Sequence, residues 1–285
     1  MNMFKKTEIS LFIAIIAPHA LFGAAHQERI PEKKLFEIAE GIIVGDKKNH
    51  HVNLTPLGKE EIILLNDLFI KGLSVDRNDA MPWQTIKTLL LLASQHRPAA
   101  VPLLVEKGAN PNKTGDNNIS PLMLVSYLPH SNAALKSLIE AKAKIDHNKT
   151  ELNRTALMLA SNGLQQENVH DLLEAHADPN LLDYNGNNAL AYAAQGLVKH
   201  PEKHAAFKSI KDLLVRAGIK VKNKASLGDY SQSKSGKGTA YDILMKAGLQ
   251  DAAELLIPPH EEWDDQEEFE KDSIAEKAHL LKKRD

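Results

Sequence analysis

One frame recurs along this chain, and a recurring frame leaves few folds open. From Asn153 to Asn180 a short apolar run opens at Thr155-Ala156-Leu157, breaks at Asn162-Gly163, resumes over Val169 to Leu173 and turns out through Ala177-Asp178-Pro179-Asn180. The pattern predicts two short helices and a turn. Thr88-Leu89-Leu90 through Ser94 aligns with Thr155-Ala156-Leu157 through Ser161, and Ser120-Pro121-Leu122, Asn188-Ala189-Leu190 and Thr239-Ala240-Tyr241 open further copies. The second halves repeat as bulky pairs ahead of a small residue: Leu68-Phe69 to Gly72, Leu103-Leu104 to Gly108, Leu138-Ile139 to Ala143, Leu172-Leu173 to Ala177 and Leu213-Leu214 to Gly218. The period is about 33 to 36 residues, in the range of helical solenoids. A unit of that size cannot bury its apolar face alone. The expected core is therefore a row of stacked layers, with Leu90, Leu122, Leu157 and Leu190 along one buried spine.

Over roughly Lys59 to Ile257 these residues resemble the ankyrin-repeat family. The signature Asp183-x-x-Gly186-x-Asn188-Ala189-Leu190 and the ending Gly108-Ala109-Asn110-Pro111-Asn112 carry the resemblance, because they recur in register. It implies an all-α ankyrin-repeat solenoid of about five to six helix-turn-helix repeats, degenerate at its ends. It also implies binding of another protein through the concave face and turn tips. Where the family ordinarily has His after a Thr-Pro-Leu start, this chain has Met123, Met158, Ala191 and Asp242. The side-chain hydrogen bond that ties turn to helix is expected to be missing, and the repeats to be looser for it.

Four segments are expected: a signal peptide over 1–25, an N-terminal helix and linker over 26–58, the repeat domain over 59–257, and a charged C-terminal segment over 258–285. Lys5 and Lys6 precede the apolar run Ile9 to Ala17, and Gly23-Ala24-Ala25 offers the small residues of a cleavage site just before His26. The run is short of the roughly 20 residues that span a bilayer, so export is favoured over an anchor and no membrane insertion is expected after cleavage. The destination is periplasmic or secreted, and the source is read as bacterial. Cysteine is absent, which excludes disulfides, a thiolate nucleophile and Cys-based zinc sites. A net charge of -2 with interspersed signs argues against nucleic acid.

Ile30 to Val44 reads as a helix, and His50-His51 as a solvated loop. Lys59 to Lys71 supplies the second helix of an incomplete first repeat. Trp83 is read as core packing at a repeat boundary ahead of a binding anchor. Pro98 and Pro102 place the start of the next second helix near Ala99 or Ala100. Val198 to His204 and Lys222 to Gly238 lengthen the fourth repeat, as insertions into loops. Gly236-Lys237-Gly238-Thr239 lacks the spacing and the strand of a phosphate loop. Glu261 to Glu270 is acidic around Trp263 and Phe269. That segment either folds back on the last repeat, docks on a partner or stays in solvent.

No constellation for catalysis, a cofactor or a metal emerges, and the chain is read as a monomeric scaffold and not an enzyme. A metal-dependent hydrolase using His200 and His204, at helical i, i+4 spacing, is the alternative of another class. A host-directed effector using the same surface is the alternative within the class. Candidate partner-binding positions lie on three successive turn tips: Lys113, Asp116 and Asn117, then Lys149, Glu151 and Arg154, then Leu182, Tyr184 and Asn185. Tyr184 stands out, because an aromatic at a tip either anchors a partner or packs on the next turn.

Overall fold

The computed structural model describes residues 31–44, 52, 54–70, 73–74, 88–148, 150–219 and 240–256. The expected signal peptide, His50-His51, Trp83, Lys149, the 222–238 insertion and the 258–285 segment lie outside the described residues. Those described form α1 (Glu32–Val44), α2 (Lys59–Ile70), α3 (Leu89–His96), α4 (Val101–Glu106), α5 (Pro121–Tyr127), α6 (Asn132–Glu140), α7 (Ala156–Asn162), α8 (Gln166–Glu174), α9 (Ala189–Lys199), α10 (His204–Arg216), α11 (Ala240–Lys246) and α12 (Gln250–Glu254). No strand occurs among them, and none of these helices is long and apolar enough to cross a membrane.

The odd-numbered helices pack on one another in chain order, and α4, α6, α8 and α10 form a second row behind them. Four of the first helices, α3, α5, α7 and α9, start the same way. Thr88, Ser120, Thr155 and Asn188 sit in extended backbone and accept the amide hydrogens of Leu91, Met123, Met158 and Ala191, at 3.0–3.3 Å. These are N-caps, and they fix where each layer begins without any contribution from His. The second helices α4, α6, α8 and α10 end on a left-handed residue at Gly108, Lys142, His176 and Gly218, after which the chain turns back. Leu90, Leu122, Leu157 and Leu190 are 1–2% exposed and do line one spine. Burying each contributes about 1.5–3 kcal/mol.

Two expectations need adjusting. Pro98–Ala100 is a 3-10 turn and α4 begins at Val101 with Pro102 in its first turn, a little later than expected, because two prolines spaced so closely each withhold a donor. At the N-terminus α1 packs on both α2 and α3, so it stands in the first-helix row and completes a layer that the sequence split between linker and repeats. Arg97, 4% exposed, fastens that layer. Its Nη1 and Nη2 donate to Glu61 Oε1 and Oε2 at 2.7 Å each, to Ile42 O at 3.0 Å and to Pro56 O at 3.2 Å. Glu61 also accepts the Gly58 amide at 2.8 Å, capping α2.

The turns leaving the second helices are linked from layer to layer by one frame position. Asn112 accepts from the Lys144 amide at 2.8 Å and donates Nδ2 to Lys142 O at 3.1 Å, and Asn180 donates Nδ2 to Gly218 O at 3.2 Å. Asp146 holds the same position in the layer between. Its carboxylate accepts the Asp178 amide at 3.1 and 3.3 Å, but an ionised carboxylate has no hydrogen to give the His176 carbonyl. Burial, and secondarily the charge of Asp178, raise the Asp146 pKa above 3.8, against the lowering by the Asp178 amide. A raised carboxyl pKa means that the associated stability is full below pH 3.8 and is lost as pH rises through the folded value. Asp146→Asn supplies the missing donor and is expected to stabilise by about 1 kcal/mol at pH 7. The gain should shrink toward pH 3.8, where the acid itself becomes a donor; denaturant unfolding at both pH values checks it.

Candidate partner-binding surface

The exposed tips are built by backbone needs first. Asp116–Asn118 forms a 3-10 turn closed by Gly115 N–H to Ile119 O at 2.9 Å. Asn117, Asn118 and Asn153 have φ of 53°, 56° and 51°, the left-handed region that Asn tolerates better than most residues. In the next tip the Thr150 hydroxyl accepts the Arg154 amide at 3.0 Å. The third tip closes on Asp183, which is 6% exposed. Its Oδ1 accepts the amides of Asn185 and Asn187, both at 2.8 Å, and its Oδ2 accepts Asn187 Nδ2 at 3.2 Å and the Tyr192 hydroxyl at 2.9 Å.

Tyr192 connects two tips. Its hydroxyl donates to Asp183 and accepts Arg154 Nε at 2.8 Å, while the Arg154 guanidinium lies 5.7 Å from the ring centroid. Arg154 is therefore half-buried and braces the frame, which corrects the expectation that it is an exposed position. At the repeat that carries Ala191 the expected loosening is offset. The missing His is replaced here by a Tyr one residue later, held between an acid of its own turn and a cation of the preceding one. Burial, then the hydrogen bond and charge of Asp183, push the Tyr192 pKa up to about 12 against the pull of Arg154. Its contribution to stability is full below pH 10 and is lost as pH rises toward 12. Tyr192→Phe is expected to cost about 1–3 kcal/mol at pH 7. It should also remove the extra alkaline loss between pH 10 and 12, followed by unfolding across that range.

On this braced frame, Tyr184 is 72% exposed while its amide donates to Leu152 O at 2.9 Å. Leu152, at the neighbouring tip, is 37% exposed. The ring does not pack away against the neighbouring turn. Asp116, Asn117 and Glu151 are exposed, Lys113, Leu182 and Asn185 are half-buried, and Lys149 lies outside the described residues. Leu152 was missed by the sequence reading, although an apolar residue inside the polar turn Glu151–Asn153 was its signal.

Residues 89–183 match the family model for ankyrin repeats, in three copies. The fold is an ankyrin-repeat solenoid. No curated protein matches the sequence. Ankyrin repeats suggest a protein-protein interaction scaffold, and the tips described above are the edge that ankyrin repeats present to solvent. His200 and His204 do not share a helix. His200 ends α9 with φ -132° and ψ 68°, Pro201–Lys203 is a 3-10 turn, and His204 starts α10. The i, i+4 geometry is broken by Pro201, and among the described residues no three His, Asp or Glu side chains are grouped to hold a metal ion.

Proposed function

We propose that this chain is an exported bacterial scaffold that captures a partner protein on its turn tips, with Tyr184 and Leu152 as the central contact. The observation that carries the reading is an exposed aromatic and an exposed leucine joined by one backbone hydrogen bond, on turns that Asp183, Tyr192 and Arg154 hold rigid. Two apolar groups fixed in place lose little freedom when they bind, which is how Tyr anchors gain affinity. Asp116, Asn117, Glu151 and Asn185 form the polar rim of this contact, with Lys113 and Leu182 at its edge, and Lys149 is proposed as a further contact from the sequence alone. The chain acts as a monomer and carries out no chemistry of its own. Export rests on the Lys5-Lys6 start, the apolar run and Gly23-Ala24-Ala25.

A photo-crosslinking residue placed at 184 in the native cell tests the reading. One dominant protein adduct is expected there and none from a crosslinker at Glu140, exposed on the opposite row. The mature chain recovered in that adduct should begin at His26. Identical adducts from both positions, or a retained N-terminus, would remove the tip assignment or the export assignment respectively.

A further inference from the structure

The second-helix row keeps a strict register until α10, where it changes character. Val101, Leu135 and Val169 occupy one core position of α4, α6 and α8 and are fully buried; the same position of α10 is Lys211. The register is fixed by the equivalent turn bonds Ala109 N–H to Leu104 O, Ala143 N–H to Leu138 O, Ala177 N–H to Leu172 O and Ile219 N–H to Leu214 O. A second position shows the same break. Val105, Ile139 and Leu173 pack against the core, whereas Val215 is 48% exposed.

The cause is missing cover. On α6 this outer flank is closed by α8, with Asn132 and Lys136 both reaching Asp171 of the next layer, the Lys136 ammonium at 3.5 Å. Lys208 of α10 stands in the register of Asn132. The next helix of the row, α12, has five residues and packs on α11, so no helix of the described residues runs along α10 as α8 runs along α6. The flank therefore presents Lys208 and Val215, with Lys211 between them, 19% exposed and paired to Asp212 of its own helix at 2.8 Å. Two lysines with an exposed apolar residue one turn beyond them fit an acidic segment that carries aromatics.

The chain contains such a segment just beyond α12. Glu261 to Glu270 reads EEWDDQEEFE, and Glu261 follows Leu256 closely enough for about 17 Å of extended chain to reach between them. We propose that residues 261–270 dock along the outer flank of α10, with carboxylates on Lys208 and Lys211 and an aromatic ring on Val215. The segment then closes the row as Asp171 closes the flank of α6. The contact is intramolecular and weakens as salt screens the charges.

Trp263 reports on it directly, since Trp83→Phe leaves one indole in the full chain. At low salt its emission is expected to be blue-shifted and less quenched by acrylamide than that of the free 258–285 peptide. Lys208→Glu with Lys211→Glu, or 0.5 M salt as an independent route that leaves α10 unaltered, should return both signals to those of the peptide. Helical circular dichroism confirms that the variant still folds. Emission equal to the free peptide in the unaltered chain would overturn the proposal, as would a shielded indole indifferent to both charge reversal and salt. Shielding that appears only as protein concentration rises would assign the flank to a second copy and overturn it too.

Discussion

Arg97→Met is expected to lower stability by about 2–4 kcal/mol. Removing one partner of a buried ion pair costs about 3–5 kcal/mol, because the remaining charge loses its compensation. Glu61 is still 31% exposed, so water recovers part of that cost. The carbonyls of Ile42 and Pro56 lose their donors in the same step. Arg97 is the only described residue whose side chain bonds the end of α1, the following connection and the start of α2 together, so the loss should be local. Denaturant unfolding gives the magnitude, and amide hydrogen exchange should show α1 and α2 opening ahead of α5 to α9. A cost below about 0.5 kcal/mol would place the contact with ordinary surface ion pairs.

The second large effect concerns helix approach. Gly163 and Gly196 occupy the same frame position in successive layers, and a Cβ on either would fall on a backbone carbonyl of the preceding layer, Tyr127 O at 2.6 Å for Gly163 and Asn162 O for Gly196. At 196 the Leu164 side chain is also within 3.2 Å. A backbone carbonyl cannot rotate aside, so α7 and α9 would have to separate. Overpacking of this kind costs about 1–3 kcal/mol, more than the roughly 1 kcal/mol of helix propensity that alanine gains. Gly196→Ala is expected to destabilise by about 1–3 kcal/mol, and Gly196→Val by more. Gly41 in α1 has nothing within 4 Å of an added Cβ, so Gly41→Ala should stabilise by up to about 1 kcal/mol. Opposite signs at two helical glycines, measured by thermal unfolding, would separate close packing from propensity; equal signs would refute the packing account.

The spine of leucines and the helix starts at Thr88, Ser120, Thr155 and Asn188 were legible in the sequence, because both repeat with the period of the solenoid. The bonds that cross between layers were not. Arg97 has no counterpart at the same position of the other repeats, and its partners lie far away in the chain, so no periodicity announces it. Asp183 was visible as part of a motif, but its role as the acceptor for two amides and a Tyr hydroxyl depends on how two turns stack. Gly163 read as a helix breaker, and its use is close approach. Arg154 read as a free charge at a tip, and only the position of the Tyr192 ring shows it to be engaged. Tyr184 was chosen as an aromatic at a turn tip, and its 72% exposure, against packing on the next turn, is legible only in the structure.

The account's central claim, that a rigid tip pair holds the partner, is tested most directly by the affinity of the protein crosslinked at 184 for purified wild-type and Tyr184→Ala chains, by titration calorimetry. The account predicts at least about tenfold weaker binding, near 1.4 kcal/mol, with unfolding unchanged. Equal affinity in the two chains would contradict it.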